Sequence, residues 1–182
     1  MLDTASYRDL KVVDIAREAG TSPATFYQYF TDVDAAIAEL AGDMAADGAT
    51  RLGELLEDTK WSGAGAEASV RSLVSGFLQF WDANRPLMRV IDLLAAEGEG
   101  RIRATRKDLL ASFSNGLAER AKRESPAHGP SNPWAMASVA VTMLVNVAIQ
   151  REIFTAADIS EDDLVDSVAR LLLAAVTGTT TA

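Results

Sequence analysis

The sequence predicts an all-α protein: a short helix pair near the N terminus followed by a larger helical bundle. Three observations lead there. Apolar residues recur at helical spacing along most of the 182 residues, and no stretch alternates convincingly at period two. The breaks between these runs carry residues that start and stop helices: Gly20, Pro23, Pro86, Gly98 and the Pro- and Gly-containing stretch 125–133. Hydrophobic residues make up 48% of the chain, which suits a packed globule.

The first well-marked element is Lys11–Ala19, where Val12, Ile15, Ala16 and Ala19 form one apolar side. Gly20 supplies the left-handed residue that ends it. Ser22 caps the next helix, with Pro23 at its first position. Phe26 and Phe30, four apart, anchor that helix to a core, which leaves Pro23, Ala24, Thr25, Tyr27 and Gln28 on or beside the outer face. Two short helices joined by a glycine turn, the second exposing small, hydroxyl and amide side chains, suit a helix entering the major groove of DNA.

A long helix is expected from Asp32 to Asp58, with Val33, Ile37, Leu40, Met44, Leu52, Leu55 and Leu56 on one face and a capping box of Thr31 with Asp34. Trp61–Gly65 reads as a loop. Val70, Leu73, Val74, Phe77, Leu78 and Trp81 mark the next helix, ended by Asn84–Pro86. Another runs to Glu97, and Ile102, Leu109, Leu110, Phe113 and Leu117 carry the one after Gly100. From Trp134 to Ile149 apolar residues occupy nearly every face, so this helix must be covered on all sides. Ser160 opens the last helix, with three acids in its first turn, and Leu164, Val168, Leu172 and Val176 carry it to Gly178. Thr179–Ala182 reads as a frayed tail.

Composition narrows the chemistry. There is no cysteine, so disulfides and thiolate metal sites are excluded, and the one histidine, His128, lies among Pro and Gly, where a surface position is expected. No Gly-rich phosphate loop or recognisable nucleophile motif is present, so no enzyme, cofactor or metal is expected. The charge-free run from Pro133 to Gln150 is short against the roughly 20 residues of a bilayer span. With no basic-then-apolar leader, a cytoplasmic, membrane-free protein is expected. The net charge of −9 argues against non-specific coating of nucleic acid but leaves room for a small DNA-reading patch on an acidic body.

The stretch from Lys11 to Phe30 resembles the TetR family of transcriptional regulators, through Ile15-Ala16, Ala19-Gly20, Ser22, Thr25, Tyr27 and Tyr29-Phe30. The resemblance is specific over about residues 6–40; the remainder matches in being helical and of suitable length. It implies a three-helix DNA-binding domain at 1–40 and a regulatory, ligand-binding and dimerisation domain at 41–182. Lys11–Ala19 would be the supporting helix and Pro23–Tyr29 the recognition helix. Thr25, Tyr27 and Tyr29 would then meet phosphates, and Pro23, Ala24 and Gln28 base edges, with Gln28 suited to pair bidentately with adenine. For the two tyrosines, simple packing with a wet hydroxyl is the competing role.

The sequence departs from the family pattern in two places. Val33 stands where the family usually has a phosphate-contacting Lys, flanked by Asp32 and Asp34. Upstream, Met1–Ala5 reads as the start of a first helix and Ser6–Leu10 as the residues after its end, with about two helical turns fewer than the family has between them. Residues 1–34 carry six acids against three bases, a net of −3.

In the family, two chains dimerise through the last two helices and a ligand changes the separation of the recognition helices. The expected function is a ligand-responsive repressor, released from a palindromic double-stranded operator by a small apolar effector. The alternative is a ligand-binding protein of the same fold with lost or weakened DNA binding. The segments Trp134–Phe154 and Ser160–Val176 are expected to form the homodimer, because the first has no polar face and the second a wide apolar one. Phe77, Trp81, Met88, Phe113 and Met143 are candidates for an apolar effector pocket, against plain core packing. Asn146 is the candidate for one orienting hydrogen bond to that ligand, against an interhelical contact.

Overall fold

A computed structural model of the chain describes residues 7–98, 100–124 and 130–178. The expected first-helix start at Met1–Ala5, His128 and the tail Thr179–Ala182 lie outside these residues. Among the described residues the secondary structure is helical and no strand occurs. A 3-10 turn (Tyr7–Asp9) precedes α1 (Val12–Glu18), α2 (Pro23–Tyr29), α3 (Val33–Asp58), α4 (Ala66–Ala83), α5 (Arg85–Ala96), α6 (Gly100–Glu124), α7 (Pro133–Ile149), α8 (Arg151–Ala156) and α9 (Glu161–Thr177). Packing divides the chain into two compact units. The first is Met1–Asp47 with Asn84–Asp108, and the second is Gly48–Ala83 with Leu109–Ala182.

In the first unit α1 and α2 pack on each other. The turn between them is a Schellman motif: Thr21 N–H donates to the Ala16 carbonyl at 2.8 Å and Gly20 N–H to that of Arg17 at 3.1 Å. Gly20 sits at φ +64, where a side chain would be strained. Ala16 is buried on the inner side of α1, but Ala19, expected beside it, is exposed at the helix end.

Helix α3 begins one residue later than expected, at Val33, and Asp32 caps it by accepting the Ala35 N–H at 2.8 Å. Thr31 is not the cap; its hydroxyl turns to the Asp32 carboxylate instead. Leu40 is also corrected. It is 51% exposed, and the inner face of α3 in this unit runs through Ile37, Ala41 and Met44. Starting from Ile37, steps of four and three residues follow the 3.6-residue period and leave position 40 to one side. From the second segment of this unit, Met88, Val90, Ile91, Leu94 and Ile102 are buried.

The core of the second unit is built on α4, which packs against α9 and α7, while α7 also packs against α9. Val70, Leu73, Val74, Phe77 and Leu78 of α4 are buried, as are Leu172 and Val176 of α9. Arg71 of α4 fixes the start of α9, donating to the carboxylates of Asp162 at 2.9 Å and Asp166 at 3.0 Å. Ser160 caps α9 as expected, accepting the Asp163 N–H at 3.1 Å. Glycine permits close helix crossings: a Cβ on Gly116 would stand 2.5 Å from a Leu56 methyl, and one on Gly48 2.5 Å from the Phe80 ring.

Trp61–Gly65 is a loop as expected, but Trp61 is 2% exposed, so its ring belongs to the core. The helix expected from Trp134 to Ile149 ends at Ile149, where the chain leaves the helical ladder at Gln150 (φ −100, ψ 18), and the short α8 follows. Asn132 caps α7 by accepting the Ala135 N–H at 3.1 Å, with Pro133 at the first position, the same device that Ser22 and Pro23 supply to α2.

Candidate nucleic-acid interface and regulatory face

Helix α2 is held by one buried side chain. Phe26 is 6% exposed, with its ring 5.3 Å from that of Phe30 and edge-on to Tyr27 at 5.7 Å. Ser22 caps the helix as the sequence suggests, accepting the Thr25 N–H at 3.1 Å, and its hydroxyl lies 3.0 Å from that of Thr25. Pro23 and Thr25 are half-buried, while Ala24 and Gln28 are exposed. Tyr27 is 59% and Tyr29 76% exposed, so neither ring is a core residue. The seven candidates Ser22, Pro23, Ala24, Thr25, Tyr27, Gln28 and Tyr29 thus lie on one two-turn helix and its cap. Four of them offer a hydroxyl and one an amide.

The acids beside Val33 have partners within the fold. Asp32 is the cap of α3, and Asp34 accepts a hydrogen bond from the Tyr7 hydroxyl. That bond ties the 3-10 turn to the start of α3. Val33 itself is half-buried.

The six effector candidates fall into separate groups within the units that hold them. Phe77, Trp81 and Phe113 form a buried aromatic cluster in the second unit. Phe77 stacks on Trp81 with centroids 6.2 Å apart and meets Phe113 at 5.5 Å. Met88 is buried in the first unit. Met143 is half-buried and lines a groove of about 460 Å³ with Met136, Val139, Leu171 and Ala175. Asn146 is exposed, contrary to the expectation of a buried polar group, and its amide donates to the Thr142 carbonyl at 3.1 Å.

The expectation that α7 is covered on every side fails within one chain. Trp134 is 46%, Val139 71% and Ile149 50% exposed; Ile153 of α8 follows at 61% and Leu171 of α9 at 59%. Sequence reasoning found the apolar character of these helices but not the outer residues. On a helix that is apolar all round, periodicity does not tell inside from outside.

Among the described residues no helix is long and apolar enough to cross a membrane.

Residues 2–42 match the model of bacterial regulatory proteins of the tetR family, and residues 52–182 match that of the tetracyclin repressor-like C-terminal domain. The solved structure of a protein with unknown function from Rhodococcus sp. RHA1 is similar in fold. It has a TM-score of 0.67 and 20% identity, covering 97% of this chain and 87% of that one. With the two family matches together spanning most of its length, the chain belongs to the TetR family of bacterial regulatory proteins, whose members are regulators and not enzymes.

Proposed function

We propose that the chain is a ligand-responsive transcriptional regulator that binds a palindromic operator as a symmetric dimer and is released by a small apolar effector. The observation that carries this reading is α2: one inward phenylalanine, a capped N terminus, and an outer face of hydroxyls and one amide. Hydroxyls are general phosphate partners, whereas an exposed glutamine at the groove can read a base edge. In this reading Thr25, Tyr27 and Tyr29 contact phosphates, and Pro23, Ala24 and Gln28 face the bases. Ser22 shapes the helix start. Residues 1–40 form the reading domain and 41–182 the regulatory and dimerisation domain.

The dimer is proposed from the apolar face of α7 and α9. Val139 and Leu171 line one groove and are both more than half exposed. Aliphatic groups left in water at this density mark a protein contact, and a second copy offers the same apolar surface in return. The partner copy would cover Asn146 and Met143 as well, which suits Asn146 to a contact between helices.

For the effector, the cluster of Phe77, Trp81 and Phe113 supplies the apolar surface. These rings are packed together, so a ligand must part them and thereby favours a different state of the second unit. Differential affinity for the two states is the physical requirement for release from DNA.

The test is selection from a random duplex pool by the full chain. Enrichment of a two-fold symmetric sequence is expected, with release of that duplex by a member of a lipophilic library that also raises the melting temperature. If no sequence is enriched, the DNA-binding reading is wrong.

A further inference from the structure

The helix pair that presents α2 is poor in positive charge. Residues 7–34 carry three bases, Arg8, Lys11 and Arg17, against five acids. Arg17 is already paired with Asp14 at 2.6 Å. Affinity for duplex DNA rests on cations set against phosphates, so a chain that reads DNA with this surface needs positive charge from elsewhere in the same unit. The segment Asn84–Asp108 packs into the first unit, and it carries six bases against four acids.

We infer that the start of α6 is a second phosphate-contacting surface, through Arg103 and Lys107, flanking the groove contact of α2. This inference rests on the DNA-binding reading above and adds to it a site outside the helix pair. Arg103 and Lys107 are one turn apart, so they share a face of α6, and both are exposed. Among the described residues neither has a carboxylate partner; Arg103 donates only to the Ala95 carbonyl at 3.3 Å. Arg106, one residue from Lys107, is by contrast neutralised by Asp92 at 2.7 Å, on the side of α6 turned to α5. The end of α5 is tied to the turn before α1, because Glu97 pairs with Arg8 there. A chain of contacts thus runs from the turn at Arg8 through Glu97 and Ala95 to Arg103.

The experiment uses the full chain and the duplex it selects from a random pool. Dissociation constants are measured from 50 to 200 mM KCl for the wild type, for Arg103→Gln with Lys107→Gln, and for Lys122→Gln in the second unit as a charge control. Each phosphate contact removed lowers the salt slope by about 0.9, so the double variant should lose roughly 1.8 per bound protomer with its melting temperature unchanged. Its affinity for the selected duplex and for a scrambled one should fall by the same factor, because phosphate contacts carry no sequence information. Lys122→Gln should leave the slope as it was. An unchanged slope in the double variant, with the wild type still binding, would overturn this inference and leave the DNA-binding reading intact. An equal change with Lys122→Gln would overturn it too, by reducing the effect to net charge. If the slope is unchanged but a melting shift caused by coenzyme A disappears in the double variant, the surface belongs to a phosphate-bearing ligand instead. A wild-type chain that selects no duplex defeats both readings at once.

Discussion

Helices α2 and α7 both leave large side chains outside, with different chemistry. On α2 the exposed large residues are Tyr27 and Tyr29, each an apolar ring ending in a hydroxyl. On α7 they include Val139 and Ile149, which have no polar atom beyond the backbone. A tyrosine tolerates a wet surface and can meet a phosphate; an aliphatic side chain gains only by leaving water. The difference separates a face suited to reversible polar contact from one suited to a standing protein partner.

The comparison breaks most readily at the anchors. Phe26→Ala should cost about 3–5 kcal/mol, because Phe26 is the buried residue of α2. Its amide protons should then exchange early, seen by hydrogen exchange. Retained protection of α2 in that variant would show that the helix does not depend on this anchor. On the other face, Leu171→Glu places a carboxylate where a second copy is proposed. It should weaken association by at least about 3 kcal/mol, on the order of 100-fold, while the single chain stays folded because Leu171 is already 59% exposed. Sedimentation reports this directly, and an unchanged dimer would remove α9 from the interface. The neighbour Leu172 is fully buried, so Leu172→Ala should instead lower stability by the roughly 2–5 kcal/mol of a core deletion, seen as a lower melting temperature.

How much of this was legible in the sequence follows from the range of each interaction. The caps at Ser22 and Ser160 are contacts across three residues, and reading them needs no tertiary knowledge. Asn132-Pro133 carries the same signature as Ser22-Pro23 and could have been read the same way. The end of α7 at Ile149 was legible too, since the apolar run stops there although no glycine or proline follows. Tertiary packing decided what local pattern could not: Trp61 in the core, Leu40 outside it, and the grouping of 84–108 with the helix pair. Asn146 is exposed because its own chain leaves one face of the apolar α7 uncovered. For the effector site, apolar residues at helical spacing do not distinguish a pocket from a packed core; Phe77, Trp81 and Phe113 meet as rings while Met88 lies in the other unit.

A smaller effect serves as a control that touches neither α2 nor α7. In α3, a Cβ added at Gly53 meets nothing within 4 Å, whereas one at Gly48 would meet the Phe80 ring at 2.5 Å and a Leu109 methyl at 2.8 Å. Gly53→Ala should therefore raise stability by about 0.5–1 kcal/mol through helix propensity. Gly48→Ala should lower it by about 1–3 kcal/mol through overpacking. Thermal unfolding distinguishes the two signs, and duplex binding should be unaffected by Gly53→Ala.

In the proposed function α2 reads DNA, with Gln28 at a base and Tyr27 at a phosphate. The most direct measurement is fluorescence anisotropy of Gln28→Ala and Tyr27→Phe on the selected duplex and on a scrambled one, at a single stated salt concentration. Gln28→Ala should lose about 1–3 kcal/mol on the selected duplex, roughly 5- to 150-fold, and little on the scrambled one. Tyr27→Phe should weaken both by the same factor. Equal loss on both duplexes for Gln28→Ala, or none on either, would contradict the assignment of α2 as the reading helix.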